Sequence, residues 1–212
     1  DLVILDQSGA IPALPLGLNA KLDAQVTGEG DATVISIPGM TGELMRSGQQ
    51  GGQFTLAANF NAKEQAGDFH LAVNALDERF IAPLANASLK PISLRSILVN
   101  MGASGKLNFK SASTVNAMVN VDRVVVFDPS GAIPSTPLNL KIGLDSEMDK
   151  KLFKLKHLVL NLAPTSRAAN ELKLSGDIDL TETNATSANL TLSSAGLDMT
   201  HYYNIMENRE KE

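Results

Sequence analysis

LKLSGDIDL, residues 172–180, alternates without a break. Leu172, Leu174, Ile178 and Leu180 fall on one parity with Gly176 in phase, while Lys173, Ser175, Asp177 and Asp179 fall on the other. Successive side chains of a strand point to opposite faces, so this stretch reads as a strand with one buried face and one wet face. FTLAANFNA, residues 54–62, has the same form, with Phe54, Leu56, Ala58 and Phe60 inward. Shorter alternating runs occur at 69–73 (Phe69, Leu71 and Val73 inward), 106–110, 138–144 and 190–192 (Leu190 and Leu192 inward). Leu16, Leu18 and Leu22 alternate with Gly17, Asn19, Lys21 and Asp23. The chain is therefore expected to be mainly β.

Other stretches are less regular. Residues 115–121 alternate loosely, and 124–127 are apolar on both parities, as in a central or doubly covered strand. Between 151 and 162 the phase slips: Phe153 and Leu155 share one parity, Leu158, Leu160 and Leu162 the other. A bulge near Lys156–His157 gives this pattern, and so does a misplaced strand boundary. Three segments read as short amphipathic helices. Ser93 caps one carrying Leu94, Ile97, Leu98 and Met101, with Gly102 as its stop. Asp77 caps a second with Phe80, Ile81 and Leu84, which Pro83 should kink or shorten. Asp198 caps a third with Tyr202, Ile205 and Met206 on one side.

One phrase occurs twice: DQSGAIPALPLGL at 6–18 and DPSGAIPSTPLNL at 128–140. Asp6 and Asp128 can accept backbone N–H groups in an Asx turn, Gly9 and Gly131 permit positive φ, and Pro12 and Pro134 hold the preceding isoleucines extended. Pro15 and Pro137 remove a ladder donor at the start of the next strand. Each copy is a stiff corner. After each come an alternating strand, further strands, and a Leu-Asp that opens a helix (Leu76-Asp77 and Leu197-Asp198). The expected organisation is a first β repeat over 1–90, a connecting helix and strands over 91–122, and a second β repeat over 123–212. The fold class expected is mainly β with a few short helices (α+β), a strongly curved antiparallel sheet built from the two repeats.

The composition narrows function. The 212 residues carry a formal charge of −5 and no basic block, which argues against a nucleic acid partner. With no Cys, disulfides, thiol catalysis and Cys-zinc sites are excluded. Aromatic residues make up 4% and Trp is absent, so stacking platforms for sugars or bases are scarce. The sequence opens at Asp1 inside an apolar run, without Met, and reads as a piece of something longer, in which an upstream signal peptide or anchor would not be visible.

No catalytic constellation emerges, and an enzyme is not expected. Ser8 and Ser130 sit beside glycines without a GxSxG motif or a placed base. His70, His157 and His201 lack a shared ligand spacing, and Asp177 and Asp179 share a face with Lys173 and Ser175. SGQQGGQ, residues 47–53, lacks the Lys-Ser/Thr of a phosphate loop and reads as a flexible hairpin tip. Asn86, Asn184 and Asn189 fit the glycosylation acceptor pattern, which arises by chance in a chain rich in Asn, Ser and Thr. Tyr202 and Tyr203 read as helix packing. No cofactor or metal is expected.

Area supplies a functional question. Ten strands of roughly 20 Å at about 4.8 Å spacing give a face on the order of 1,000 Å². Three short helices cover about half of it. The remainder must curl on itself, receive neighbouring domains or hold an apolar ligand such as lipid.

The one-face-apolar strands with Asn, Asp, Thr and Ser on the wet side, as in LKLSGDIDLTETNATSANLTLSS, and the closing LDMTHYY at 197–203 resemble the AsmA-like (AsmA/TamB-type) family of envelope proteins. The resemblance covers the second half and reaches the first through the internal repeat. It implies a non-enzymatic periplasmic module, tethered through a segment outside this chain. It further implies a role in lipid transport or outer-membrane assembly, with partners among lipids, other envelope proteins and neighbouring repeats of a longer parent. The candidate apolar face is Phe54, Leu56, Phe60, Phe69, Leu71, Val73, Leu172, Leu174, Ile178, Leu180, Leu190 and Leu192. The other reading is a structural or interaction repeat of a surface protein or adhesin, its apolar faces closed into two β-sandwiches.

Overall fold

The computed structural model describes residues 2–3, 15–131, 133, 137–181, 186–200 and 202–203. Eleven strands form one sheet in simple sequence order, each antiparallel to the next. They are β1 (Leu2–Val3), β2 (Pro15–Thr27), β3 (Val34–Arg46), β4 (Gln49–Asn61), β5 (Ala66–Asp77), β6 (Ser93–Asn108), β7 (Ala112–Phe127), β8 (Leu138–Asp149), β9 (Leu152–Leu162), β10 (Glu171–Asp179) and β11 (Ser187–Ser194). The one described helix of more than a turn is α1 (Glu78–Leu89), between β5 and β6. The mainly β, antiparallel expectation holds. β1 and β11 are not paired to each other, so the sheet is open. The strands make one sheet, so two stacked sandwiches are not the arrangement adopted. Pairing runs from β5 through β6 and β7 into β8, across residues 90/91 and 122/123.

The phase slip in β9 is a bulge. His157 pairs with Asp145 and Leu155 with Ser146, which leaves Lys156 without an opposite residue. The apolar run at 124–127 is the end of β7, continuous with 115–121 across a register shift between Val121 and Val124. Arg123 takes φ 55° in that shift, and its N–H is captured by the Asn139 side chain at 3.1 Å. Ala75 in β5 repeats the device: φ 52°, with its N–H donated to Asn100 Oδ1 at 2.9 Å. Bulges free backbone donors, and the Asn side chains on the neighbouring strand take them up.

The helix expected from Ser93 is not formed: residues 93–108 are strand β6. Leu94, Ile97, Leu98 and Met101 mimic helical spacing because β6 carries two register shifts, at Leu94/Ser96 and Ser96/Leu98, which break the period of two. Gly102 is no helix stop; it faces Ala72 and Met118 across the sheet. The Asp77 helix does form. Asp77 caps it, accepting from Arg79 N–H and from the Arg79 guanidinium. Pro83 does not end α1. A proline at this position cannot donate to the carbonyl four residues back, Arg79 O, and Arg46 Nη1 donates to that oxygen instead at 3.0 Å. Of the third helix, Thr200, Tyr202 and Tyr203 are helical, and Ile205 and Met206 lie outside the described residues.

The second corner behaves as read. Asp128 accepts from Ser130 N–H at 2.9 Å and Ile133 N–H at 2.9 Å, and Gly131 takes φ 71°. Residues 6–14 of the first corner lie outside the described residues. The hairpin at 46–49 turns on Ser47 and Gly48, both at positive φ, as a two-residue loop requires. Gly51 and Gly52, however, are buried in β4 against Phe80 and Leu76.

The longer connections gather at one end of the sheet: β5–α1–β6, the 128–137 corner, the β9–β10 link and the segment after β11. The core gathers there too. Ile92, Leu94, Val126 and Ile133 are buried together under Ile81, Ala82, Ala85 and Leu89 of the α1 region. Two α1 side chains also serve β6, where Asn86 and Glu78 accept the N–H groups of Leu94 and Ile97 displaced by its bulges.

Candidate functional site: the apolar face

Residues directly opposite on neighbouring strands point to the same face. Following the register from β2 to β11 gives an unbroken row: Leu22, Met40, Leu56, Leu71, Ala103, Ala117, Leu144, Leu158, Leu174 and Leu192. One apolar residue from each strand lies in this row. The flanking rows have the same character, for example Phe54, Val73, Met101, Val119, Ile142, Leu160 and Leu172.

Eleven of the twelve candidate side chains fall on this single face. Phe54, Leu56 and Phe60 of β4 stand with Val73, Leu71 and Phe69 of β5; Leu172, Leu174 and Ile178 of β10 stand with Leu190 and Leu192 of β11. Leu180 lies just beyond β10, where its N–H donates to Lys151 O at 2.8 Å. The register joins the two groups, which the sequence presented separately. It also adds Met40, Met101, Leu158 and Leu160, which the bulges in β3, β6 and β9 had put out of phase, and Val119 and Ile142 from the runs at 115–121 and 138–144.

Among the described residues, cover on this face is sparse. Ten strands averaging about 12 residues give a face on the order of 2,000 Å² at ~3.3 Å per residue and ~4.8 Å per strand. A 12-residue helix shields roughly 180 Å² of that. Leu18, Leu22 and Val26 in β2 and Leu190 and Leu192 in β11 are 44–68% exposed. At the end away from α1 the face holds a hollow of about 420 Å³ lined by Leu107, Phe109, Val115, Met148 and Phe153. Phe109 stacks edge-on against Phe60 there, with ring centroids 6.3 Å apart.

The other face is polar. The row Asn59, Asp68, Lys106 and Thr114 borders a hollow of about 930 Å³. The row His70, Ser104, Asn116, Asp145 and His157 places two of the three histidines on one line, bordering a hollow of about 360 Å³. Among the described residues no three His, Asp or Glu side chains come together as a metal site. Asp177 faces Lys154 and Asn189, and Asp179 accepts from Thr181 N–H at 2.8 Å. That contact with Thr181 holds the Asp179 carboxyl below its ordinary range. Lys156, at the β9 bulge, pairs with Glu147 at 3.0 Å, and this bond raises its pKa.

A polar cluster fastens the segment after β11. Asn170, fully buried at φ 59°, donates from Nδ2 to Ala163 O and Asp198 O and accepts from Asp198 N–H. Arg167 forms a two-pronged pair with Asp198, and Tyr202 Oη donates to Asn139 O at 2.8 Å. The Thr200 hydroxyl, followed by Thr165, Thr200 N–H and Arg167, outweighs burial and lowers the Asp198 carboxyl to about 2. Tyr202 is thus tied to the sheet by hydrogen bonds, whereas Tyr203, read with it as helix packing, is 55% exposed. Nothing in the sequence marked Asn170, whose role depends on contacts 28 residues away. Asn86 serves α1 and β6, and Asn189 lies on the polar face of β11.

No helix among the described residues is long and apolar enough to cross a membrane. Compared with known proteins, no family model matches the sequence, and no curated protein or solved structure matches it.

Proposed function

We propose that the protein is a non-enzymatic cell-envelope module of the AsmA-like kind, whose apolar sheet face receives acyl chains in lipid transport or outer-membrane assembly. The observation that carries this reading is the continuous row from Leu22 to Leu192, lined on one side of an open sheet and covered by protein at one end. Soluble monomers rarely leave contiguous apolar patches beyond about 300–600 Å². A face several times larger calls for an occupant, and its width of ten strands suits extended hydrocarbon chains better than a compact ligand.

The reading includes strong curvature. Seven of the ten strand pairs carry register shifts, and bulges bend and twist strands. A Cβ at Gly67 or Gly176 would sit 2.1 or 2.0 Å from a neighbouring strand's carbonyl oxygen, so the backbones approach closely at these glycines. It also includes two repeats. The first corner phrase leads into β2–β5, then Leu76-Asp77 and α1; the second leads into β8–β11, then Leu197-Asp198 and the helical turn at Thr200. Asp77 and Asp198 play equivalent parts, each capping and pairing with an arginine. Neighbouring repeats of a longer parent and other envelope proteins are the proposed partners, in a periplasmic setting.

Native mass spectrometry of protein extracted from membranes tests this. The reading requires adducts of phospholipid mass that survive purification. Protein with no bound lipid, and none acquired from phospholipid vesicles, overturns it.

A further inference from the structure

An open sheet has two edge strands with unpaired N–H and C=O groups, and proteins usually protect such edges with charge, proline, bulges or cover. The two edges here differ. β2 carries Lys21 and Asp23, begins with Pro15, is partly paired by β1 and has a register shift between Asp23 and Gln25. β11, SANLTLSS, contains no charge and no proline, and its register with β10 runs unbroken over eight pairs. All eight of its residues are exposed, and among the described residues no strand lies on its outer side.

We infer that β11 pairs antiparallel with β11 of a second copy, about a two-fold axis through Thr191. The sequence fits itself in this register. Thr191 meets Thr191, Leu190 meets Leu192, Asn189 meets Ser193 and Ala188 meets Ser194. Every pair joins residues of one face, which antiparallel pairing demands. Threonine and leucine pairs of this type favour the contact, and no like charges are opposed. The axis stands perpendicular to the sheet, so the apolar faces of the two copies end on the same side and Leu190 and Leu192 bridge them. The other edge cannot do this equally well: two β2 strands would have to bring a bulge and charged side chains into register. This inference is independent of what occupies the apolar face.

The absence of Cys and the self-pairing position give a direct experiment. Sedimentation velocity on the wild type, from about 1 to about 300 µM, should show a monomer–dimer equilibrium, as expected for a short ladder in the transient class. Thr191→Cys should form a disulfide dimer on mild oxidation faster than Asn189→Cys, which is not opposite itself. Thr191→Lys and Thr191→Asp, on the exposed polar face, should each be monomeric and fold normally by circular dichroism. Mixed together they should restore a one-to-one dimer. A wild type that stays monomeric over the whole range overturns the inference. So does a dimer that persists in Thr191→Lys, or a mixture of the two charge variants that fails to associate.

Discussion

Replacing Leu18 and Leu22 by lysine tests the apolar face where its side chains are least covered. They are 53% and 55% exposed, so between them they still present about one leucine side chain of surface to solvent. Fully burying a leucine is worth about 1.5–3 kcal/mol. If an acyl chain covers this surface, Leu18→Lys/Leu22→Lys should weaken phospholipid binding by about that amount, roughly 10- to 150-fold. The same exposure means that folding loses little, because surface substitutions usually stay within about 0.5 kcal/mol. Met118 provides the control. It is 58% exposed, but it stands opposite Gly102 and Gly143 on the polar face. Met118→Lys should leave binding unchanged. The assay is titration of a phospholipid bearing a fluorescent acyl chain, with thermal melts of each variant alongside. Binding by the double variant within about twofold of wild type would refute the reasoning. Equal loss in Met118→Lys would also refute it, since the effect would then be charge and not the face.

Three further outcomes follow from the packed end of the sheet. Ile92 is 1% exposed, so Ile92→Ala should cost about 2–5 kcal/mol in chemical denaturation; a loss under about 1 kcal/mol would mean the core lies elsewhere. Asn170→Ala removes the side-chain bonds to Ala163 and Asp198 and leaves buried partners unpaired, for about 2–4 kcal/mol, with faster amide exchange at 196–200 as its signature. Asp198, held at about 2, contributes stability that is complete above its ordinary value of 3.8 and is lost as pH falls through about 2. Both tyrosines, Tyr202 and Tyr203, lie in the segment it fastens, and there is no Trp, so tyrosine fluorescence should report its release between about pH 4 and 2. Asp198→Asn should abolish that acid step, and an unchanged profile would assign it to another group.

The fold class was legible because strand alternation is local. A run such as 172–180 states its face without reference to any neighbour, and eleven of the twelve side chains chosen that way stand on one side of one sheet. What was not legible depends on pairing. Residues 93–101 carry an honest helical period, yet α1 and β7 hold them extended, and the two shifts in β6 supply the spacing that imitates a helix. Local pattern cannot separate a bulged strand from an amphipathic helix, because one extra residue converts a period of two into steps of three and four. The β9 slip could be read as a bulge only because the strand is long on both sides of it.

The extent of the candidate site was hidden for the same reason, and the consequence is functional. An estimate from short strands and three helices left about half of a 1,000 Å² face open. The actual strands run to 16 residues, because bulges let β6 and β7 continue past the points where alternation fails. The face therefore doubles while the described cover falls to one helix at one end. Bulged strands of this kind bend more readily than regular ones, so the features that obscured the face in the sequence are also the ones that would allow it to wrap an extended chain. Straightening them should separate the two effects. Deleting Lys156 would make pairing between β8 and β9 regular, with His157 still opposite Asp145 and Leu155 still opposite Ser146. A face that binds only by exposing leucine should tolerate this, whereas one that depends on curvature should lose acyl-chain binding while its melting transition survives.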